Sequence, residues 1–207
     1  MKIYLVRHGL SLGNKAKMHQ LPHVVLSEEG VIQANAIAER VSNLSIDLIY
    51  SSSLTRAQET AKAISNKIGA RIETWDEVRE IKRPSEILGK HVDSPETREF
   101  DQALEANYKD PDWKYSDEET FNDLKARAKG VLDHLLKTHG DQNILVVSHG
   151  TFIKMLVATV LFGENLTADV FWDFREHTYA ENTGISVCEN RPGKGWRLLT
   201  FSDSSHL

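Results

Sequence analysis

Two apolar runs in this 207-residue chain end in the same chemistry. Tyr4-Leu5-Val6 leads into Arg7-His8-Gly9, and Asn143-Ile-Leu-Val-Val-Ser148 leads into His149-Gly150. Each run reads as a buried strand, so both histidines fall at strand carboxyl ends, where open parallel sheets bind ligands. An imidazole titrates near 6.5, so at neutral pH its ring nitrogen is available as a nucleophile (about 6.5 unperturbed). Beside an arginine, such a nitrogen suits an electrophile that carries negative charge. A phosphoryl group fits: the planar fork of Arg7 grips its oxygens while His8 attacks phosphorus. Alone, Arg7-His8-Gly9 reads more readily as structure than as a site.

Other residues add to the set. Arg56 falls in the first turn of a helix expected to begin near Ser53, where the macrodipole disfavours a cation. An anion bound at that helix start explains the placement; an ion pair with Glu59 is the plainer explanation. His149 precedes Gly150, which opens an apolar helix whose amides would face the same ligand. As a donor or a cation, His149 would stabilise charge on a phosphoryl oxygen. A leaving alcohol needs a proton, and a carboxyl buried near the pocket suits that task. Glu80 follows a strand and is the candidate, with Glu77, Asp76 and Glu73 open on residue type. Cys188, the one cysteine, sits in an alternating strand-like segment and reads as a small buried thiol.

The elements around these residues define a fold class. Val31, Ala34, Ile37, Ala38 and Val41 repeat at helical spacing behind Ser27, a good N-cap. Residues 46–50 read as a strand. The serines at 51–53 read as capping hydroxyls for a helix that closes at Gly69. Residues 71–74 form a further strand, 123–138 a helix before the second His-Gly strand, and 152–162 an apolar helix closed by Gly163. Residues 184–189 and 196–202 read as strands joined by the turn at 190–195. This alternation predicts an α/β three-layer sandwich with a mostly parallel central sheet and helices on both faces.

Residues 82–120 break the pattern. Six basic and eleven acidic residues there carry a net charge equal to the −5 of the whole chain. Phe100, Leu104, Tyr108 and Trp113 require burial. The segment is therefore expected to be a partly helical lid insertion over the sheet edge, within one domain spanning 1–207. Lys82, Arg83 and Lys90 would give it a local basic rim.

Composition excludes several classes. A net charge of −5 argues against nucleic acid. No apolar run approaches the roughly 20 residues that cross a bilayer, and the N-terminus lacks signal-peptide character. A cytoplasmic compartment is expected. His19, His23, His91, His134, His139, His177 and His206 are scattered, form no metal-ligand pair, and read as surface residues. No Gly-x-x-x-x-Gly-Lys-Ser/Thr loop occurs.

Together these motifs resemble the histidine phosphatase superfamily, the phosphoglycerate mutase-like family. The matching segments are Leu5-Val-Arg-His-Gly9 with Ser11 and Asn14, Leu26-Ser-Glu-Glu-Gly-Val-Ile-Gln-Ala34, and Ser51-Ser-Ser-Leu-Thr-Arg-Ala-Gln-Glu-Thr-Ala61. Arg79-Glu-Ile81, Glu119-Thr120 with Arg127, and Val146-Val-Ser-His-Gly150 follow in the family's order. The resemblance implies a phosphohistidine on His8, a phosphate pocket of Arg7, Arg56 and His149, and Glu80 as proton donor and later base. It places Ser11 and Asn14 at phosphate or substrate contacts and implies no metal and no other cofactor. The expected partner is a small phosphorylated metabolite, with no nucleic acid and no membrane. Two departures stand out: Leu10 replaces the family's frequent Glu or Gln, and 82–90 lacks its Gly-x-Trp-Glu-Gly-like continuation. The acidic insertion favours a phosphomonoester hydrolase over a mutase, which would need a closed basic lid. A non-catalytic phosphate-binding module on the same fold is the alternative from another class. Substrate identity and oligomeric state are not readable from these residues.

Overall fold

Alternating side chains along two central strands divide the apolar residues of the chain between two layers. Ile3 and Leu5 join Ile144 and Val146 in one buried cluster, whereas Tyr4 and Val6 join Leu145 and Val147 in the other. The computed structural model describes residues 1–207. Its elements are β1 (Lys2–Arg7), α1 (Leu12–Lys15), α2 (Glu28–Val41), β2 (Leu48–Ser51), α3 (Thr55–Ile68), β3 (Ile72–Thr74) and α4 (Pro95–Asn107). They continue with α5 (Phe121–His139), β4 (Asn143–Ser148), α6 (Gly150–Phe162), α7 (Ala168–His177), β5 (Ile185–Arg191) and β6 (Gly195–Asp203). Six strands form one sheet in the order β3-β2-β4-β1-β5-β6. The first four are parallel; β5 and β6 continue the sheet antiparallel. Side chains of α2 and α3 fill one cluster, and those of α5, α6 and α7 the other, which makes the expected three layers.

The register of β1 on β4 does most to position the site. Arg7 pairs with Ser148, so His8 lies level with His149, and the His8 amide donates to the Ser148 carbonyl at 3.0 Å. Two distant stretches of sequence thereby place their histidines side by side. The loop after β1 is pressed against the start of α2. A Cβ on Gly30 would lie 2.0 Å from the Leu10 carbonyl oxygen, so only glycine permits the approach. Ser27 caps α2 as expected, and its hydroxyl also donates to the Leu10 carbonyl at 2.9 Å. Gly30 takes the buried place on this helix while Val31 is half exposed, contrary to its expected core position.

Other expectations shift. The serines at 51–53 do not cap α3, which begins at Thr55 with Leu54 as an N-cap lacking a side-chain bond. Gly69 ends α3 at φ 75°, as the sequence predicts. The sequence reading contains no counterpart of α7, because its aromatic and β-branched residues, Val170, Phe171, Trp172 and Phe174, are weak helix formers. Residues 82–120 are partly helical and bury Phe100. They are also bonded to the loop after β1. The His19 amide donates to the Lys90 carbonyl at 2.9 Å and the Gly89 amide to the His19 carbonyl at 2.7 Å, tying the segment to the loop after β1. The segment thus walls the space beyond the strand ends. No helix is long and apolar enough to cross a membrane.

Candidate active site

His8 is 2% exposed and its orientation is held at three points. Its Nδ1 lies 2.7 Å from the Gly9 carbonyl, which can only accept, so Nδ1 carries the proton and Nε2 the lone pair. The Asn182 amide donates to the His8 carbonyl at 2.8 Å, and the Gly9 amide donates to Thr60 Oγ1 at 3.1 Å. Burial, then the charges of Arg56 and Arg7, hold the His8 ring well below its ordinary titration range, against the bond to Gly9. The ring is therefore neutral at physiological pH with its nucleophilic nitrogen directed into the site.

Arg56 Nε donates to His8 Nε2 at 3.2 Å. Burial pushes the guanidinium down to about 10, Glu80 opposes that, and Arg7 adds to it, so Arg56 stays charged. Its ion pair with Glu59 does not form: Glu59 Oε2 accepts the Leu26 amide at 2.7 Å. Arg7 anchors one Nη on the Ala180 carbonyl at 2.6 Å, while its buried Nε has no partner. An orphaned buried donor costs free energy unless a ligand accepts it.

His149 is completely buried, and its ring centroid lies 5.0 Å from that of His8. Ser52 Oγ accepts the Leu54 amide at 3.2 Å and lies 2.8 Å from His149 Nε2. His149 Nε2 is the only acceptor within reach of the Ser52 hydroxyl hydrogen, so the hydroxyl is assigned as donor to Nε2, and this assignment leaves the proton of His149 on Nδ1, which has no partner. Burial and the neighbouring His8, Arg56 and Arg7 push His149 well below its ordinary range. It is thus a neutral donor, and the cationic alternative raised by the sequence does not apply to the free site. The Ser52 partnership explains why hydroxyls precede α3 without capping it.

Glu80 lies beside this group with its carboxyl on the N-terminus of α6. Oε2 accepts the Thr151 amide at 3.2 Å, and Oε1 accepts the Phe152 and Ile81 amides at 3.0 Å each. The expected anion site on those amides is therefore filled by Glu80, which is polar-bonded and not enclosed by apolar surface. Gly150 packs against Arg7, whose Nε would lie 3.5 Å from a Cβ there. The competing carboxylates are elsewhere: Glu73 pairs with Arg71, Asp76 with Arg79, and Glu77 is exposed.

His8, Arg7, Arg56 and Glu80 line a cavity of about 370 Å³ together with Asn14, His19 and Arg83, with His149 buried against the His8 ring. Glu80 is its only carboxylate, against Arg7, Arg56, Arg79, Lys82 and Arg83. The acidic character of 82–120 accordingly lies on its outer side and does not describe the wall of the site. Asn14 reaches the cavity, whereas Ser11 does not. Ser11 is fully buried and caps α1, its hydroxyl accepting the Asn14 amide at 3.0 Å. His19 is another correction, since it lines the cavity with a buried Nε2 and does not sit on the outer surface. His206 likewise is tied to Thr183 Oγ1 at 3.0 Å.

Three contributors escaped the sequence reading: Ser52, Thr60 and Asn182. Each acts through one long-range bond without a local spacing signal. Arg127 and Glu119 have a role that their matching positions do not reveal. Arg127 holds both Glu119 oxygens, at 2.7 and 2.8 Å, and donates to the Glu77 and Arg79 carbonyls at 2.7 and 2.9 Å. That clamp fixes the backbone that carries Glu80. Cys188 is buried, and burial pushes its thiol up to about 12, as suits an inert core residue. No three His, Cys, Asp or Glu side chains converge as a metal-binding group.

A sheet that brings Arg7 and His8 to a basic cavity at its strand ends, with Arg56 of α3 bonded to His8 and His149 buried against it, defines a class of phosphate-handling α/β protein. The family model of the histidine phosphatase superfamily (branch 1) matches residues 3–204, and the chain belongs to that family. It is 32% identical over 214 residues to “Probable phosphoglycerate mutase GpmB” of Yersinia pestis (strain Pestoides F), covering 100% of this chain and 95% of that one. Among solved structures it resembles a phosphoserine phosphatase from Entamoeba histolytica, with TM-score 0.82, 23% identity, and coverage of 100% and 98% of the two chains. An alpha-ribazole phosphatase from Shigella flexneri is similar too, with TM-score 0.82, 22% identity, and coverage of 98% and 96%.

Proposed function

We propose that the protein is a phosphatase that hydrolyses a small phosphomonoester through a phosphohistidine on His8. The observation that carries this reading is the fixed tautomer of His8: Nδ1–H on the Gly9 carbonyl leaves the Nε2 lone pair facing Arg56. The unpartnered Arg7 Nε and His149 Nδ1 are donors for the phosphoryl oxygens that would approach that nitrogen. In the first step Nε2 bonds to phosphorus, the P–O ester bond breaks, and the leaving oxygen takes a proton from Glu80. In the second step Glu80 takes a proton from water, the hydroxyl oxygen bonds to phosphorus, and the N–P bond breaks to release phosphate. Arg7, Arg56 and His149 stabilise charge on the non-bridging oxygens throughout. Asn14 borders the path of the leaving group, and Gly150 lets Arg7 lie close to α6.

The names of the two structural neighbours support hydrolysis. The basic cavity wall and the 32% identical relative named as a phosphoglycerate mutase favour a second reading, transfer of the phosphoryl group to another substrate hydroxyl. Rapid-quench trapping with 32P-labelled phosphomonoesters tests both. Acid-labile, alkali-stable label is expected on the parent protein and not on His8→Ala, with inorganic phosphate appearing as the label decays. Lack of label in the parent overturns the catalytic reading and leaves a phosphate-binding module. Label that passes to a second hydroxyl without phosphate release assigns the transferase.

A further inference from the structure

The backbone of Arg7, His8 and Gly9 is supported from a segment far along the chain. The Thr183 amide donates to the Arg7 carbonyl at 3.0 Å, and the Arg7 amide to the Gly184 carbonyl at 3.3 Å. Asn182 Nδ2 donates to the His8 carbonyl at 2.8 Å, and the Ala180 carbonyl accepts the Arg7 guanidinium at 2.6 Å. Thr60 accepts the Gly9 amide, so the peptide between His8 and Gly9 is held at both its oxygen and its nitrogen. That peptide leads directly into the Gly9 carbonyl, which selects the His8 tautomer. The aim of the nucleophile therefore depends on residues 180–184.

Those residues form a turn that does not hold itself. Thr183 has φ 56°, a left-handed backbone that strains a β-branched residue and persists only where the surroundings impose it. Here the surroundings are the end of β6 and the residues after it. Ser202, itself at φ 48°, accepts the Glu181 amide on its hydroxyl at 2.7 Å. His206 Nε2 lies 3.0 Å from Thr183 Oγ1, whose hydroxyl donates to the Asn182 carbonyl at 2.7 Å. That carbonyl can only accept, so His206 is assigned as donor to Thr183. The segment carrying His206 is fastened in turn to α2, where Arg40 pairs with Asp203 and donates to Ser205 Oγ at 2.7 Å. Were the turn a mere connection, glycine at 183 would make it without strain. The threonine is explained by its hydroxyl, which joins Asn182 to His206.

We infer that Thr183 and His206 are positioning residues: His206 holds the Thr183 hydroxyl, the hydroxyl fixes the strained turn, and the turn aims His8. Asn182, Thr183, Ser202 and His206 do not line the cavity, so they act only through Arg7 and His8. The inference rests on the phosphohistidine reading for its kinetic consequences and extends it to residues that touch no substrate.

His206→Phe removes the donor at a half-buried position, and Thr183→Gly removes the hydroxyl while taking the left-handed backbone without strain. Each is expected to lower kcat on p-nitrophenyl phosphate by about tenfold or more and to change KM less, because a displaced nucleophile still leaves the arginines to bind phosphate. The double variant should lose no more than the worse single one, since both substitutions break the same bond. His206→Gln keeps a donor and Thr183→Ser keeps the hydroxyl, so both should recover most of the loss. Full kcat in His206→Phe and Thr183→Gly, a loss carried by KM alone, additive losses, or no recovery in the conservative variants overturns the assignment. The 15N shifts of the His8 ring read the same coupling without turnover. The parent should show the single Nδ1–H tautomer, and His206→Phe and Thr183→Gly a mixture of two; an unchanged ring signal in both also overturns it. If the parent takes no phosphoryl label, a His8 signal that still responds to His206 and Thr183 supports the positioning role while the phosphatase reading falls. Label and turnover in the parent, with kcat and ring signal indifferent to both substitutions, do the reverse.

Discussion

Replacing Arg127 by methionine removes the clamp behind Glu80 and gives a measurable penalty. The Arg127 and Glu119 side chains are 7% and 11% exposed, and the guanidinium lies 4.2 Å from the Phe152 ring centroid. Loss of one partner from a buried ion pair costs about 3–5 kcal/mol, because the remaining charge keeps its desolvation penalty. Glu119 retains Arg79 at 3.1 Å and the Lys82 amide at 2.8 Å, so the lower end, about 3 kcal/mol, is expected at pH 7. For a chain of this size that corresponds to a fall of roughly 6–12 °C in Tm. The sign of the pH dependence follows from Glu119. Burial raises its titration range, but Arg127, the Lys82 amide and Arg79 outweigh that and hold it below the ordinary carboxylate value. Its contribution is present above the unfolded value and lost as pH falls through the folded one. Acidification should therefore narrow the gap between parent and Arg127→Met. Urea unfolding at several pH values measures this. The turnover ratio of p-nitrophenyl phosphate to an alkyl phosphate reports on Glu80, and the poorer leaving group should suffer more in the variant. A stability loss below 1 kcal/mol (about a fivefold change in the folding equilibrium), a gap that widens in acid, or equal losses on both esters would refute the reasoning.

Two further outcomes are expected. His8 and His149 are buried with folded-state titration well below the ordinary range. The unfolded chain then binds more protons below about pH 6.5, so their contribution to stability is complete above that value and falls steadily toward lower pH. Unfolding at pH 5.5 should take up protons, measurable from the dependence of calorimetric enthalpy on buffer ionisation; no uptake would contradict the buried neutral pair. Gly30→Ala should lower stability by about 1–3 kcal/mol or more, since its Cβ meets the Leu10 carbonyl at 2.0 Å and backbone must move. Thermal unfolding checks it, and a neutral effect would mean that the loop after β1 is not pressed on α2.

Much of the fold was legible because its signals are local. Apolar runs of strand length, the helical spacing behind Ser27 and the glycine at 69 each require only neighbouring residues to be read. The ends were less so: α3 begins at Thr55, and the Ser52 hydroxyl bonds His149 instead of capping it, a partnership invisible in the helix itself. Helix α7 was missed because weak helix formers are held there by burial of Ala168 and Phe171, a tertiary effect. In the site, Ser11 and Asn14 share one local motif, yet only Asn14 faces the cavity, since the Ser11 hydroxyl caps α1.

By itself, the sequence determined the chemical inventory of Arg7, His8, Arg56, Glu80 and His149, and the strand ends that display the two histidines. Residue type and periodicity suffice for that. Only the tertiary structure decided which of these groups has a free donor or lone pair. The β1–β4 register sets His8 beside His149, the Gly9 carbonyl selects the His8 tautomer, and Ser52 orients His149. The same holds for the cations on the wall. Lys82, Arg83 and Lys90 are alike as a basic rim in sequence, and folding pairs the two lysines with Asp117 and Glu96 of the same segment. Arg83 is left unpaired because charge in a cavity depends on which partners the fold brings within reach, and sequence spacing does not encode that distance.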